Sequence, residues 1–235
     1  MSREIVVERL FEALVNGDRV GARSIVAEAM AADASASVLI NDLFWPTYEM
    51  IEKLHRSDQI TLLSYQLSSR LLRMLVDQAA ARLAIAPPRG KTIFAACGPS
   101  QTEELAAQMA CDLLESEGFE VQFAGGGVPA DEILAQVQTN RPDYLLLFAP
   151  AASDLPGIRQ IIDQVREIGA CPHTKIVVGG GVFNRAEGLA DEIGLDLFAP
   201  SPLELVDLLT EEQPVTFRPV AAKPAPTQRR LRPAA

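Results

Sequence analysis

The chain has 235 residues, of which 48% are hydrophobic and 22% are charged, which is the composition of a folded globular protein. Its net charge of -10 argues against direct DNA binding, because contact with phosphates requires a positive surface. Three cysteines cannot form a disulfide framework in a chain of this size and favour a reducing compartment. Since the apolar runs are short and interrupted, we expect no membrane span and a cytoplasmic protein.

Residues 1–84, called the cap below, are predicted to form a four-helix bundle. Apolar residues recur at helical spacing in four stretches, separated by residues typical of helix ends. Asp18 is predicted to cap the second helix, and Ser57-Asp58 the fourth. Four amphipathic helices with short connections favour a bundle. Pro87 and Pro88 cannot continue a helix and mark a linker.

Residues 91–211, called the sheet unit below, alternate short apolar runs with amphipathic stretches. Strands are predicted around Ile93, Val121, Leu146, Val177 and Leu197. Helices are predicted to follow them at about residues 102–117, 130–138, 155–168, 185–193 and 202–209. Apolar strands alternating with helices indicate a five-stranded parallel sheet covered on both faces, a flavodoxin-like (Rossmann-like) α/β fold. Ligands of such sheets bind beyond the carboxyl ends of the strands.

The last segment, residues 215–235, has five basic residues, no acidic residue and four prolines. It lacks the apolar periodicity needed to build a core, and we predict that it is disordered. A docking tail for an acidic partner or for nucleic acid is the alternative interpretation.

Two glycine triplets, residues 125–127 and 179–181, fall in predicted strand-to-helix loops. Glycine lets the backbone approach a bulky or anionic ligand closely. Neither triplet fits G-x-G-x-x-G, and no P-loop motif is present, so nucleotide-binding fingerprints are absent. The alternative interpretation is that the glycines only form tight turns.

The order of these parts resembles the cobalamin-binding modules of methionine synthase, corrinoid methyl carriers and cobalamin light sensors. The resemblance covers residues 3–209, nearly the whole predicted fold. Its local matches are Gly118-Phe119-Glu120-Val121, Gly125-Gly126-Gly127-Val128-Pro129, Arg141-Pro142-Asp143, Val177-Val178-Gly179-Gly180-Gly181 and Ile193-Gly194-Leu195-Asp196.

The resemblance implies a set of ligand contacts in the loops of the sheet unit. In the family, the first loop carries D-x-H-x-x-G, whose histidine can bind cobalt, and Glu103 stands at that histidine position here. The family's third loop carries a serine, for which Ser153 is the nearest match. Its fourth loop lines the slot for the nucleotide tail. The loop residues predicted to contact a cofactor are Glu103, Gly125, Gly126, Ser153, Gly179, Gly180 and Gly181.

The cap is predicted to supply an apolar roof over these loops, formed by Trp45, Tyr48, Leu54 and Tyr65. The alternative is that Trp45 and Leu54 belong to the core of the bundle. Cys97 follows the first predicted strand, and its sulfur is the one soft ligand predicted near the ring of a bound tetrapyrrole. The alternative is that Cys97 is a buried, unreactive thiol.

The two histidines, His55 and His173, are predicted to lie away from the loops. We therefore expect either cobalamin bound without a protein histidine or a different tetrapyrrole, haem or a bilin. The main hypothesis is a sensory or regulatory protein that responds to light or to redox state. Such a protein would act through another regulatory protein or through self-association. The alternatives are a corrinoid methyl carrier that serves a methyltransferase and a ligand-free interaction module. No enzymatic activity of the chain itself is expected.

Overall fold

The computed structural model describes residues 2–97, 104–169, 171–186 and 188–211. Within the cap, the helices are α1 (Arg3–Val15), α2 (Arg19–Ala31), α3 (Ala36–Val38), α4 (Trp45–Arg56) and α5 (Leu62–Ala80). A π-helical segment, Leu39–Phe44, joins α3 to α4, so these pieces form one continuous third rod. The prediction of a helical cap is confirmed. The predicted disordered tail, residues 215–235, lies outside the described residues.

Capping side chains explain where two of the cap helices begin. Asp18 accepts a hydrogen bond from the Gly21 N–H at 2.9 Å, as the sequence predicted. At the start of α5, Thr61 Oγ1 accepts one from the Ser64 N–H at 3.1 Å. The predicted cap at Ser57-Asp58 is therefore wrong. Thr61 has the extended backbone, φ −71° and ψ 158°, that suits a residue at this position.

The sheet consists of β1 (Thr92–Cys97), β2 (Glu120–Phe123), β3 (Tyr144–Phe148), β4 (Lys175–Gly179) and β5 (Leu197–Phe198). Its strands are all parallel and lie in the order β2-β1-β3-β4-β5. The predicted flavodoxin-like sheet is confirmed. The boundaries at residues 84 and 91 between cap and sheet unit stay a prediction.

The helices of the sheet unit are α6 (Leu105–Ser116), α7 (Ala130–Asn140), α8 (Leu155–Ile168), α9 (Gly181–Arg185), α10 (Leu189–Ile193) and α11 (Pro202–Thr210). A short 3₁₀ turn, Ala152–Asp154, precedes α8. The prediction of one helix over residues 185–193 is wrong, because two short helices occupy this region. Gly188, between them, adopts φ +79°, which an α-helix cannot contain.

Alternating side chains of the central strands divide the core between the two faces of the sheet. Ala95, Leu146 and Val177 belong to one apolar cluster, and that cluster continues without interruption into the cap. Leu145 and Val178 belong to the other, which packs under α7 and α8. The cap therefore packs on the face that carries α6 and α11. None of the described helices is long and apolar enough to cross a membrane.

At the amino edge of the sheet, Asp143 ties β3 to the start of β1. Its carboxylate accepts hydrogen bonds from the Thr92 N–H at 2.9 Å and from Lys91 Nζ at 2.9 Å. Burial alone would raise the pKa of Asp143, but the bonds from Thr92 and Lys91 outweigh it and the pKa is lowered.

We expect Asp143→Ala to lower the free energy of unfolding by about 1–2 kcal/mol at pH 7, because two strands lose a shared acceptor. A carboxyl with a lowered pKa contributes stability above its unfolded pKa and loses it as the pH falls through the folded value. The parent should therefore lose this advantage in acid, as urea unfolding at several pH values would show. Asp163→Ala, which removes an exposed pairing with Arg159 on α8, is the matched control and should cost less than about 0.5 kcal/mol.

A polar junction joins cap helix α5 to α6 of the sheet unit. Arg73 donates to Gln108 at 2.8 Å, and Gln108 donates to Asp77 at 2.6 Å. Asp112 lies beside this chain with one carboxylate oxygen buried and without a hydrogen-bond partner among the described residues. Burial, followed by the charges of Glu115 and Asp77, raises the pKa of Asp112 from 3.8 to about 6.

We expect Asp112→Asn to make the protein more stable than the parent at pH 8, by about 1 kcal/mol after allowance for solvent screening. An acid whose folded pKa is raised favours the fold while it is protonated, and this contribution is lost as the pH rises through about 6. Urea unfolding at pH 4 and pH 8 measures the difference, with Glu120→Gln on the exposed edge strand as control. If the free energy of unfolding depended on pH in the same way in the parent and in Asp112→Asn, that result would contradict the raised pKa of Asp112.

Candidate functional site

A cavity of about 500 Å³ lies between α4 of the cap and the carboxyl edge of the sheet. Its lining comes from α4, the first half of α6, the ends of β1, β3 and β4, the short helix α9, the segment after β5, and the start of α11. This is the edge at which the sequence predicted a ligand site, since parallel sheets place their binding loops there.

Residues without long side chains keep this space open. The wall formed by α6 presents Ala106, Ala107 and Ala110, and the loop after β4 presents residues 179–181, all glycine. A methyl group or a hydrogen at these positions leaves a broad surface of backbone and Cβ atoms. The arrangement suits a large ligand that approaches the sheet edge closely.

Cys97 and Phe148 form the floor of the cavity. They are register partners at the ends of β1 and β3, and Cys97 is only 1% exposed. Its backbone N–H donates to the Gly125 carbonyl at 2.7 Å, which fixes the loop after β2 to the end of β1. Cys97 thus lines the cavity, while its predicted contact with a cofactor stays a prediction.

The roof of the cavity is one face of α4. Trp45 and Tyr48 line it with their rings stacked at 5.6 Å between centroids. Two other residues predicted for the roof, Leu54 and Tyr65, are not among the lining residues. Most positions of α4 that line the cavity, from Trp45 through 48, 49, 52, 53 and 56, follow one face of the helix. Leu54 is not on this face. Tyr65 instead donates to Glu52 at 2.7 Å.

Charged side chains follow the same face of α4 and change sign along it. At one end, burial and then the charge of Glu204 raise the pKa of Glu49. At the other end, Arg56 pairs with Glu52 at 3.1 Å, and Arg185 from α9 lines the same side of the cavity. The cavity therefore has an acidic corner and a basic corner.

These charged residues were missed at the sequence level. A signal was present in the helical spacing of Glu52 and Arg56, which predicts an ion pair on one face. Arg185 offered a weaker signal, because it follows the second glycine triplet by four residues. Charged residues on helices are common at exposed positions, so neither spacing by itself points to a site.

The glycine loop after β2 lies outside the cavity lining. Gly126 donates its N–H to Glu104 Oε1 at 2.7 Å, and the backbone of Gly125 faces the same carboxylate. Glu104, at the N-terminus of α6, therefore holds this loop against α6. Gly125 and Gly126 therefore lie against Glu104 and do not line the cavity. Glu103, the predicted contact next to Glu104, lies outside the described residues.

Ser153, predicted as the residue nearest to the family's third-loop serine, is exposed on the 3₁₀ turn before α8. It is not among the residues that line the cavity, whereas Pro150 of the same loop is. The segment from Ala149 to Ser153 leaves the sheet edge before it reaches the serine.

Gly180 lines the cavity, but its lack of a side chain has a local cause. It adopts φ +107°, and a Cβ atom there would lie 2.6 Å from the Ala149 carbonyl oxygen. A valine at this position would strain the backbone instead of filling a slot for a ligand. The tight-turn interpretation therefore explains Gly180 fully. Gly179 and Gly181 face Phe148 and Arg185, respectively.

Neither histidine lines the cavity. His55 stacks on Tyr65 with 3.8 Å between ring centroids, and His173 is exposed in the turn before β4, at the amino edge of the sheet. Within the part of the chain that the structure describes, no cluster of three or more histidine, cysteine or acidic residues could hold a metal ion. The three cysteines are buried thiols, and burial raises the pKa of Cys111 well above 9.

Comparison with known proteins relates both parts of the chain to one kind of domain. Residues 91–206 and residues 6–79 each match a family model described as a B12 binding domain. Over 94 residues, 40% of this chain, the sequence is 33% identical to dimethylamine corrinoid protein 1 of Methanosarcina acetivorans, of which 43% is covered. The same length is 33% identical to dimethylamine corrinoid protein 3 of Methanosarcina mazei, of which 55% is covered. The match thus spans about half the length of these curated relatives.

A solved structure extends the likeness to the whole fold. The monomethylamine corrinoid protein of Methanosarcina barkeri superimposes with a TM-score of 0.80, at 16% sequence identity, over 89% of this chain and 99% of that one. At this identity the likeness concerns the fold. The two matched family models together cover the cap and the sheet unit, and the predicted resemblance is confirmed. The chain belongs to the family of B12-binding domain proteins.

Proposed function

We propose that this protein is a corrinoid carrier that holds a cobalamin-type cofactor in the cavity below α4 and presents it to a methyltransferase. The observation that carries the proposal is the cavity itself, which lies between a helical cap and the carboxyl edge of a B12-binding sheet. Relatives with this family membership are named as corrinoid proteins. They favour the methyl-carrier alternative over the sensory hypothesis.

The chemistry of the lining fits a corrinoid. A corrin ring is broad, with apolar faces and an edge of amide-bearing side groups. The alanines of α6 can lie against a face, while Trp45 and Tyr48 supply an apolar cover. The charged residues of α4 and Asn184 surround this centre and can bond to amides. Haem and bilin, the other tetrapyrroles considered, have no comparable support from the family.

A bound corrinoid would supply a cobalt centre that accepts and donates a methyl group. The residues of this chain would bind and orient the ring and exclude water from it. In this proposal the catalytic groups that activate the methyl donor and acceptor belong to the partner methyltransferase, and the chain itself is a carrier.

The first test is uptake of hydroxocobalamin by the purified protein, followed by desalting and absorption spectroscopy. We expect about one corrinoid per chain to stay with the parent protein. Ala106→Phe should abolish uptake, because a phenyl ring on the α6 wall would occupy the space that the alanines leave open. Far-UV circular dichroism of the variant should match that of the parent.

Ala135→Phe, at an exposed position of α7 on the opposite face of the sheet, is the matched control and should retain the corrinoid. Equal retention by Ala106→Phe and the parent would place the ligand outside this cavity. Loss of all binding by the parent would favour the ligand-free interaction module. A change of oligomeric state on illumination of adenosylcobalamin-loaded protein, measured by size-exclusion chromatography, would favour the sensor.

We further propose that the cobalt has no histidine ligand from the described residues. The geometry supports this, because His55 is stacked on Tyr65 and His173 lies at the opposite edge of the sheet. His55→Ala and His173→Ala should each leave the visible spectrum of the bound corrinoid unchanged. A shift of the spectrum in either variant would contradict this cobalt environment, and binding of imidazole to the loaded parent is the positive control for a nitrogen ligand.

A further inference from the structure

The basic corner of the cavity contains two arginines from different parts of the fold. Arg56 ends α4 of the cap, and Arg185 ends α9, the short helix after the glycine loop of β4. Both line the cavity. Arg185 lies over Gly181, where a Cβ atom would come within 2.5 Å of its Nη1. A glycine at position 181 is therefore what allows the guanidinium to occupy this place.

The charges at this corner are only partly balanced. Arg56 has a carboxylate partner, Glu52, at 3.1 Å, and Glu52 also accepts a hydrogen bond from Tyr65. Arg185 has no ion pair with a described residue, and Lys53 adds another positive charge to the same face of α4. Burial and then the like charge of Arg56 lower the pKa of Arg185, and the charges of Glu52 and Tyr48 offset this only in part.

Two guanidinium groups that line the same cavity can form a receptor for a phosphate. Their N–H groups can bind two oxygens of one anion, and the anion removes the repulsion between them. In a complete corrinoid the phosphodiester of the nucleotide loop is an anion, whereas the amide groups at the ring edge are neutral. The acidic corner, with Glu49 near Glu204, lies toward the start of α11 and disfavours an anion there.

We propose that Arg56 and Arg185 form a phosphate-binding subsite that bridges the cap and the sheet unit and selects corrinoids that carry a nucleotide loop. The proposal rests on the proposed corrinoid-binding function and adds the orientation of the cofactor, with its phosphodiester at the basic corner. It also gives the cap a direct electrostatic contact with the ligand, since Arg56 belongs to α4 and Arg185 to the sheet unit.

The experiment compares hydroxocobalamin with aquacobinamide, which has the corrin ring but no phosphate, ribose or base. Affinities are measured by absorption titration for the parent, Arg185→Gln and Arg185→Lys. Arg70→Gln, an exposed arginine of α5 outside the cavity lining, is the matched control. Unchanged thermal midpoints of the ligand-free variants show that each variant is folded.

We expect Arg185→Gln to weaken cobalamin binding on the order of 10-fold, the effect of a lost charged hydrogen bond. Cobinamide binding should stay unchanged, and Arg185→Lys should show an intermediate loss because it keeps the charge but not the fork of donors. Inorganic phosphate should compete with cobalamin in the parent and much less in Arg185→Gln. Equal affinities of parent and Arg185→Gln for cobalamin and for phosphate would overturn the subsite.

The outcomes separate this proposal from the carrier function. Failure of the parent to bind either corrinoid would refute the carrier, while a phosphate-dependent rise of the thermal midpoint that needs Arg185 would still support the anion subsite. Binding of cobalamin that is indifferent to Arg185, together with phosphate binding that requires it, would assign the subsite to free phosphate. An equal loss of cobalamin and cobinamide binding in Arg185→Gln would show contact with the ring and contradict selection by the phosphate.

Discussion

One apolar core runs from the cap into a single face of the sheet, and the cavity exists because that core stops short of the sheet's carboxyl edge. Helix α6 takes part in both regions, since Leu105 and Met109 are fully buried while Ala106 and Ala110 border the empty space. Close packing leaves few voids in protein interiors. A gap of this size, bounded by alanines and glycines, supports the proposal that a ligand occupies it.

The same geometry determines which side chains line the cavity. Because α4 contributes one helical face, aromatic residues near its start and charged residues toward its end meet the cavity in a fixed order. The sheet contributes the ends of β1, β3 and β4, whereas the loop after β2 is held away by Glu104. Cap and sheet unit must stay in register for this arrangement, and the bonds of Gln108 to Arg73 and Asp77 contribute to that register.

The sequence was sufficient to predict the fold and the edge of the sheet where the cavity lies, because hydrophobic periodicity reports directly on helices and parallel strands. Of the residues predicted to contact a cofactor, Trp45, Tyr48 and Cys97 are among those that line the cavity; their contact with a ligand stays a prediction. Leu54 lies outside the cavity lining because the rotation of α4 about its axis depends on packing against α5 and the sheet. Tyr65, on α5, instead donates its hydroxyl to Glu52. Gly180 shows another limit of prediction from sequence. A glycine that the backbone conformation requires looks the same in the sequence as a glycine that a ligand requires. Arg185 was missed because Arg56, the other arginine of the cavity lining, lies far from it in the sequence.

In the proposed carrier, a corrinoid occupies the space between α4 and the sheet edge. A crystal structure of the protein after loading with hydroxocobalamin tests it most directly. We expect the corrin ring to lie between Trp45 and Tyr48 on one side and the ends of β1, β3 and β4 on the other. A corrinoid bound elsewhere on the surface, with the cavity closed or filled by side chains of α4, would contradict it.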